Sequence, residues 1–226
     1  MSADSLFLKT LQDDVMAALD AYYREDTPYN RRAVVRVFAS AVEGETYHLK
    51  QHCLKRLDAN PSFYTAGEAA VLQESNYYLD KDSTVLARPQ FFSTPENFHF
   101  VLKTFAKDTL PKLDIREDTA GWAKFKNAFH IRNRVTHPKT DADLVISDVD
   151  LECIQRAFLW FRKTLVRTQV VSGLALHDTY EKVRSELQLL GRDPGPSVGP
   201  RIIPREELVK WAAKLDQLET SPLSGK

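Results

Sequence analysis

The sequence predicts an all-α fold, an up-and-down helical bundle with an appended C-terminal helix, and three observations predict it. Apolar residues recur at three- and four-residue spacing through most of the 226 positions. No Asn-Gly or Asp-Gly pair stands between alternating apolar runs, so no hairpin is expected. With 43% hydrophobic and 27% charged residues the composition is globular, neither collagen-like nor disordered.

The periodicity predicts helices over 4–24, 31–57, 66–80, 95–108, 119–137, 148–170, 174–190 and 205–219. Thr65 with Glu68, and Ser147 with Asp150, have the spacing of a capping box, and Thr94 precedes Pro95 at a first helical position. The run GRDPGPSVGPRIIPRE concentrates prolines and glycines and cannot continue a helix. The expected division is therefore a bundle over 1–190, a linker over 191–204, and an appended helix with a disordered tail over 205–226.

Lys plus Arg and Asp plus Glu each total 31, so the net charge is zero and any nucleic-acid surface has to be local. Cys53 and Cys153 lie far apart inside apolar helical patterns, which reads as two small buried thiols and no disulfide. No segment approaches the roughly 20 apolar residues of a spanning helix, and the first residues lack the pattern of a secretory signal, so no membrane is expected and the location expected is the cytoplasm.

Residues 122–137 carry the most chemistry. Projected at 100° per residue, Trp122, Phe125, Ala128, Phe129 and Val135 form a core stripe, with Arg132 in its middle. A guanidinium cannot lose its proton, so a core-facing Arg needs a carboxylate, a phosphate or solvent. Asn133 and His137 lie four positions apart at the stripe's edge, joined there by Lys126 and His130. Pro138 disfavours helical geometry at His137, which places that histidine at the helix end.

The stretch FHIRNRVTHPK, residues 129–139, resembles the signature of the HEPN superfamily, an Arg, a polar residue and then a His after four to six positions. The match is Arg132, Asn133 and His137. The resemblance implies a HEPN-like bundle that dimerises so that two motifs line one cleft, and a metal-independent endoribonuclease that needs no cofactor. It implies catalytic roles for Arg132 and His137 with Asn133 supporting. The side chains suit that chemistry: His137 can move the proton of an RNA 2′-hydroxyl or of the leaving oxygen, and Arg132 can clamp the phosphate, which leaves a 2′,3′-cyclic end. Lys126, His130, Arg134, Lys139 and Lys124 are the local groups expected to hold RNA.

A structural reading stands beside it, in which Arg132 pairs with an acid and His137 complements the helix C-terminus. Glu45, on the apolar side of helix 31–57, is the partner expected for Arg132, with Glu43 facing away; such a pair is also compatible with an oriented catalytic Arg. A second alternative comes from Glu45-Thr-Tyr-His48 and Glu96-Asn-Phe-His99, half of the ligand set of a ferritin-like di-iron bundle, with Glu68 or Glu74 and Asp13, Asp14 or Asp20 as candidates to complete it. A third reading is a non-catalytic bundle that binds a protein partner or neutralises a toxin. His177-Asp178 reads as a solvated first turn, and Tyr22-Tyr23 and Tyr77-Tyr78 as core and rim aromatics. No Gly-rich phosphate loop, nucleophile elbow or paired Cys-x-x-Cys is present.

Overall fold

A computed structural model describes residues 3–189 together with Glu206, Val209 and Lys210, with side chains placed from Leu6 to Leu176 and at those three. The expected linker and almost all of the appended helix lie outside the described residues. Six helices, α1 (Ala3–Arg24), α2 (Pro28–Ala59), α3 (Ala66–Leu72), α4 (Thr94–Phe105), α5 (Thr119–Thr136) and α6 (Asp148–Leu189), make up a helical bundle fold. Two short antiparallel strands, β1 (Ser75–Leu79) and β2 (Val85–Pro89), form a hairpin paired from Ser75 opposite Pro89 to Leu79 opposite Val85.

That hairpin corrects the helix expected over 66–80. α3 ends at Leu72, and Glu74 adopts a left-handed backbone (φ 52°) that turns the chain into β1. The connection is five residues rather than an Asn-Gly pair, closed by the Asp80 carboxylate accepting from the backbone N–H groups of Asp82 and Thr84 at 2.9 and 2.8 Å. A second correction concerns residues 148–190, which form one helix: Gly173 is accommodated without a break, so His177 and Asp178 lie inside α6 rather than at a helix start. Both predicted capping boxes form. At α4 the cap is Ser93, which exchanges hydrogen bonds with Glu96, and Thr94 keeps its hydroxyl for another partner.

The described residues divide into two compact units, one holding those up to Phe105 and Asp114–Phe161, the other Ala106–Leu113 and those from Arg162 onward. In the first, α2 is the central helix, packed along α1, α4 and α5. Its buried positions fall in two adjacent stripes, Val34, Phe38, Ala41, Glu45, Leu49 and Cys53 beside Val35, Ala39, Val42, Thr46 and Lys50. Gly44 permits the approach of α1, since a Cβ there would stand 2.6 Å from a Leu11 methyl. The core is aromatic: the Phe98 and Phe161 rings are 4.8 Å apart, Phe98 and Phe125 5.5 Å, and Phe38 and Phe129 5.6 Å. In the second unit Thr109 donates to the Ser172 hydroxyl at 2.8 Å. No helix among the described residues is long and apolar enough to cross a membrane. Both thiols are free, and Cys53 is buried as expected, whereas Cys153 is only half-buried against Asn127.

Candidate functional site at the end of α5

The elements that hold α5 are specific. Asp118 caps it by accepting from the Gly121 N–H at 2.9 Å, and its other oxygen accepts from the Trp160 indole at 2.8 Å. Gly121 is required there, because a Cβ would lie 2.1 Å from the Trp160 ring. Downstream, Phe125, Ala128, Phe129, Ile131 and Val135 are buried, so the apolar stripe read from the sequence is the packed face, broadened by Ile131. α5 stops at His137, whose backbone (φ −126°, ψ 58°) has left helical geometry while its N–H still donates to Asn133 O, as the following proline requires.

Arg132 lies at the edge of the packed face, its side chain 25% exposed, and Nη2 donates to Glu43 Oε1 at 2.7 Å. The same carboxylate oxygen accepts from the Thr94 hydroxyl at 3.2 Å, so Glu43 links α2, the start of α4 and α5. The acid opposite Arg132 is thus Glu43 rather than the expected Glu45. A projection centred on the first α2 stripe puts Glu43 outward, yet it shares the flank of Ala39, Thr46 and Lys50 at four-, three- and four-residue spacing, and a helix packed on three sides half-buries that flank. Glu45 itself is 4% exposed. Thr94 was missed because a residue before Pro95 reads only as a cap.

Arg132 Nη1 also donates to Asn133 Oδ1 at 3.1 Å, carrying the guanidinium round to the flank that Asn133 and His137 share. Asn133, His137 and His130 are exposed, as is Lys126, whose ammonium lies 5.9 Å from the Trp122 ring centroid. With spacings of four, three and four, Lys126, His130, Asn133 and His137 line one solvent-facing strip of α5. Lys124 and Lys139 are exposed nearby.

Arg134 is different. Its Nη2 donates to Asp150 at 2.9 Å and to the Val145 carbonyl at 3.2 Å, so it fastens the loop after α5 to the start of α6 instead of offering itself to a phosphate. Burial would raise the Asp150 carboxyl, but hydrogen bonds from the Ser147 N–H, Arg134 and the Ser147 hydroxyl hold it below the usual carboxylate range. Arg31, by donating to the Ile146 carbonyl at 2.9 Å and pairing with Asp148 at 2.7 Å, secures the same loop from α2.

Comparisons with protein-family models, with curated protein sequences and with solved structures give no match.

The di-iron ligand set is not assembled. Glu96 is engaged with Ser93, Glu68 closes the α3 capping box, and Glu74 pairs with Lys50 at 2.6 Å. His99 Nε2 lies 3.2 Å from Asp114, and His48 faces His52. Among the described residues no three His, Cys, Asp or Glu side chains converge as a metal site. Tyr77 and Tyr78 sit on β1 at 54% and 45% exposure, rim residues rather than core.

Proposed function

We propose that the chain is a metal-independent endoribonuclease of HEPN type, acting in the cytoplasm as a homodimer on RNA through Arg132, His137 and Asn133. The observation that carries this reading is the arrangement at the end of α5: a guanidinium fixed on two sides by Glu43 and Asn133, with an exposed histidine five residues on at the helix terminus. Two Arg132 nitrogens are committed, and the guanidinium fork retains further N–H donors for a phosphate. A carboxylate and an amide that fix the fork before substrate arrives lower the cost of orienting it.

In the reaction His137 takes the proton from a ribose 2′-hydroxyl, the resulting oxygen attacks the adjacent phosphorus, and the P–O5′ bond breaks. The products are a 2′,3′-cyclic phosphate and a 5′-hydroxyl, the latter receiving a proton from a protonated imidazole. Arg132 donates to the non-bridging oxygens as charge builds on them. Glu43 and Asn133 position Arg132. Lys126, His130 and Lys139 contact the RNA backbone. A two-fold dimer that brings two α5 ends together supplies a second His137 as the general acid.

The test is digestion of a mixed RNA by the purified chain in EDTA. The expected result is cleavage with cyclic-phosphate ends that His137→Ala reduces by about 100-fold or more. Absence of cleavage by folded wild-type protein overturns the reading. One observation favours the alternative of a non-catalytic protein-binding or antitoxin module: the Thr94, Glu43 and Arg132 bridge joins three helices and has a structural use of its own. Under that alternative RNA stays intact, and Arg132→Ala and Glu43→Ala lower the melting temperature alike.

A further inference from the structure

His48 and His52 occupy successive turns of α2, and their Nε2 atoms stand 3.2 Å apart with the rings at 84° to each other. Together with Phe7, Tyr47, Gln51 and Lys55 they line a groove of about 270 Å³ on the first unit. Neither imidazole belongs to the α5 strip. Counted at 100° per residue, His48 and His52 lie about 140° and 180° around α2 from Glu43, on the side away from Arg132.

We propose that this pair is a chelating site for one divalent transition-metal ion of the zinc, nickel or copper class, held by the two Nε2 atoms and completed by water or a small anion. Two zinc–nitrogen bonds of about 2.05 Å drawn from atoms 3.2 Å apart meet at an angle of about 100°, between square and tetrahedral values. Imidazole nitrogen suits these metals, and harder oxygen-seeking ions are disfavoured by the same donors. In the metal-free arrangement one Nε2–H points at the other nitrogen's lone pair. On binding, that proton moves to Nδ1 of its ring so that both Nε2 lone pairs face the ion, with no net change in protonation. Successive-turn spacing on a continuous helix holds the two donors together before the ion arrives, so little ordering remains to be done. Lys55 lines the same groove, so an anion taken up at the open positions has a cation near it.

The experiment is zinc binding by the full chain with Zn²⁺ alone, followed by equilibrium dialysis and by the imidazole nitrogen resonances. Wild-type protein is expected to hold one equivalent more than His48→Ala and one more than His52→Ala. In the wild type alone, the Nε2 signals of His48 and His52 are expected to shift before those of the other four histidines, and EDTA to reverse the shift. Equal stoichiometry in all three proteins, loss in only one variant, or first shifts at other histidines overturns the proposal. Because RNA cleavage is measured in EDTA, His48→Ala is expected to cleave at the wild-type rate, and the two proposals fail separately.

Discussion

Single residues separate the functional from the structural use of α5. The Arg132–Glu43 pair is part-exposed, with side chains 25% and 39% accessible, so as a stabilising contact it contributes on the order of 1 kcal/mol. Glu43→Gln is therefore expected to shift the melting temperature by a few degrees at most, measured by differential scanning calorimetry. Its expected effect on cleavage is larger, roughly 10-fold, because a loosened guanidinium is misplaced for the phosphate. Arg132→Lys keeps the charge but not the fork, and should restore little activity. His99 gives a separate pH signature. Burial pushes its imidazole below the ordinary value, helped by Arg116 and Lys103 and opposed by Asp114. The unfolded chain then takes up the proton first, so stability is full above about pH 6.5 and is lost as pH falls from there through the lowered folded value. Stability curves for His99→Gln should be flatter across that window; an unchanged slope assigns it to other groups.

The elements show what the sequence displayed and what it hid. Helices with a single apolar stripe, α1, α5 and the start of α6, were legible because burial on one face leaves a 3.6-residue period. β1 and β2 were not. Tyr77, Tyr78, Leu79, Val85 and Leu86 are all exposed, so the hairpin lacks the alternation that burial of one face imposes. Its place is set by the left-handed turn at Glu74 and the Glu74 ion pair with buried Lys50, neither readable as a period. Glu74→Ala leaves that ammonium without its carboxylate, and is expected to cost on the order of 2 kcal/mol by urea titration, more than a typical surface carboxylate. At the start of α6, the Asp150 carboxyl sits below its ordinary range. Its stabilisation is therefore present above the unfolded value near 3.9 and lost as pH falls through the lowered folded value. Asp150→Asn should lose about 1 kcal/mol at neutral pH and show a shallower acid limb. An acid limb like that of the wild type would mean that Asp150 does not carry this term.

For the whole molecule, a period-3.6 pattern without strong strand signals was enough to reveal the all-α bundle, and the α5 motif was visible as an arginine in an apolar stripe. The identity of its partner was not, because Glu43 becomes half-buried only through the packing of three helices on α2, which a one-helix projection cannot contain. The same packing gives Glu43, Thr94 and Arg132 a helix-joining role that holds whether or not RNA is bound. The measurement that decides most directly is the RNA cleavage rate of Arg132→Ala in EDTA, corrected for its folded fraction and compared with wild type. The expected result is a folded variant with a melting temperature within a few degrees of wild type and cleavage reduced by about 100-fold or more. A wild-type rate per folded molecule in Arg132→Ala would contradict it.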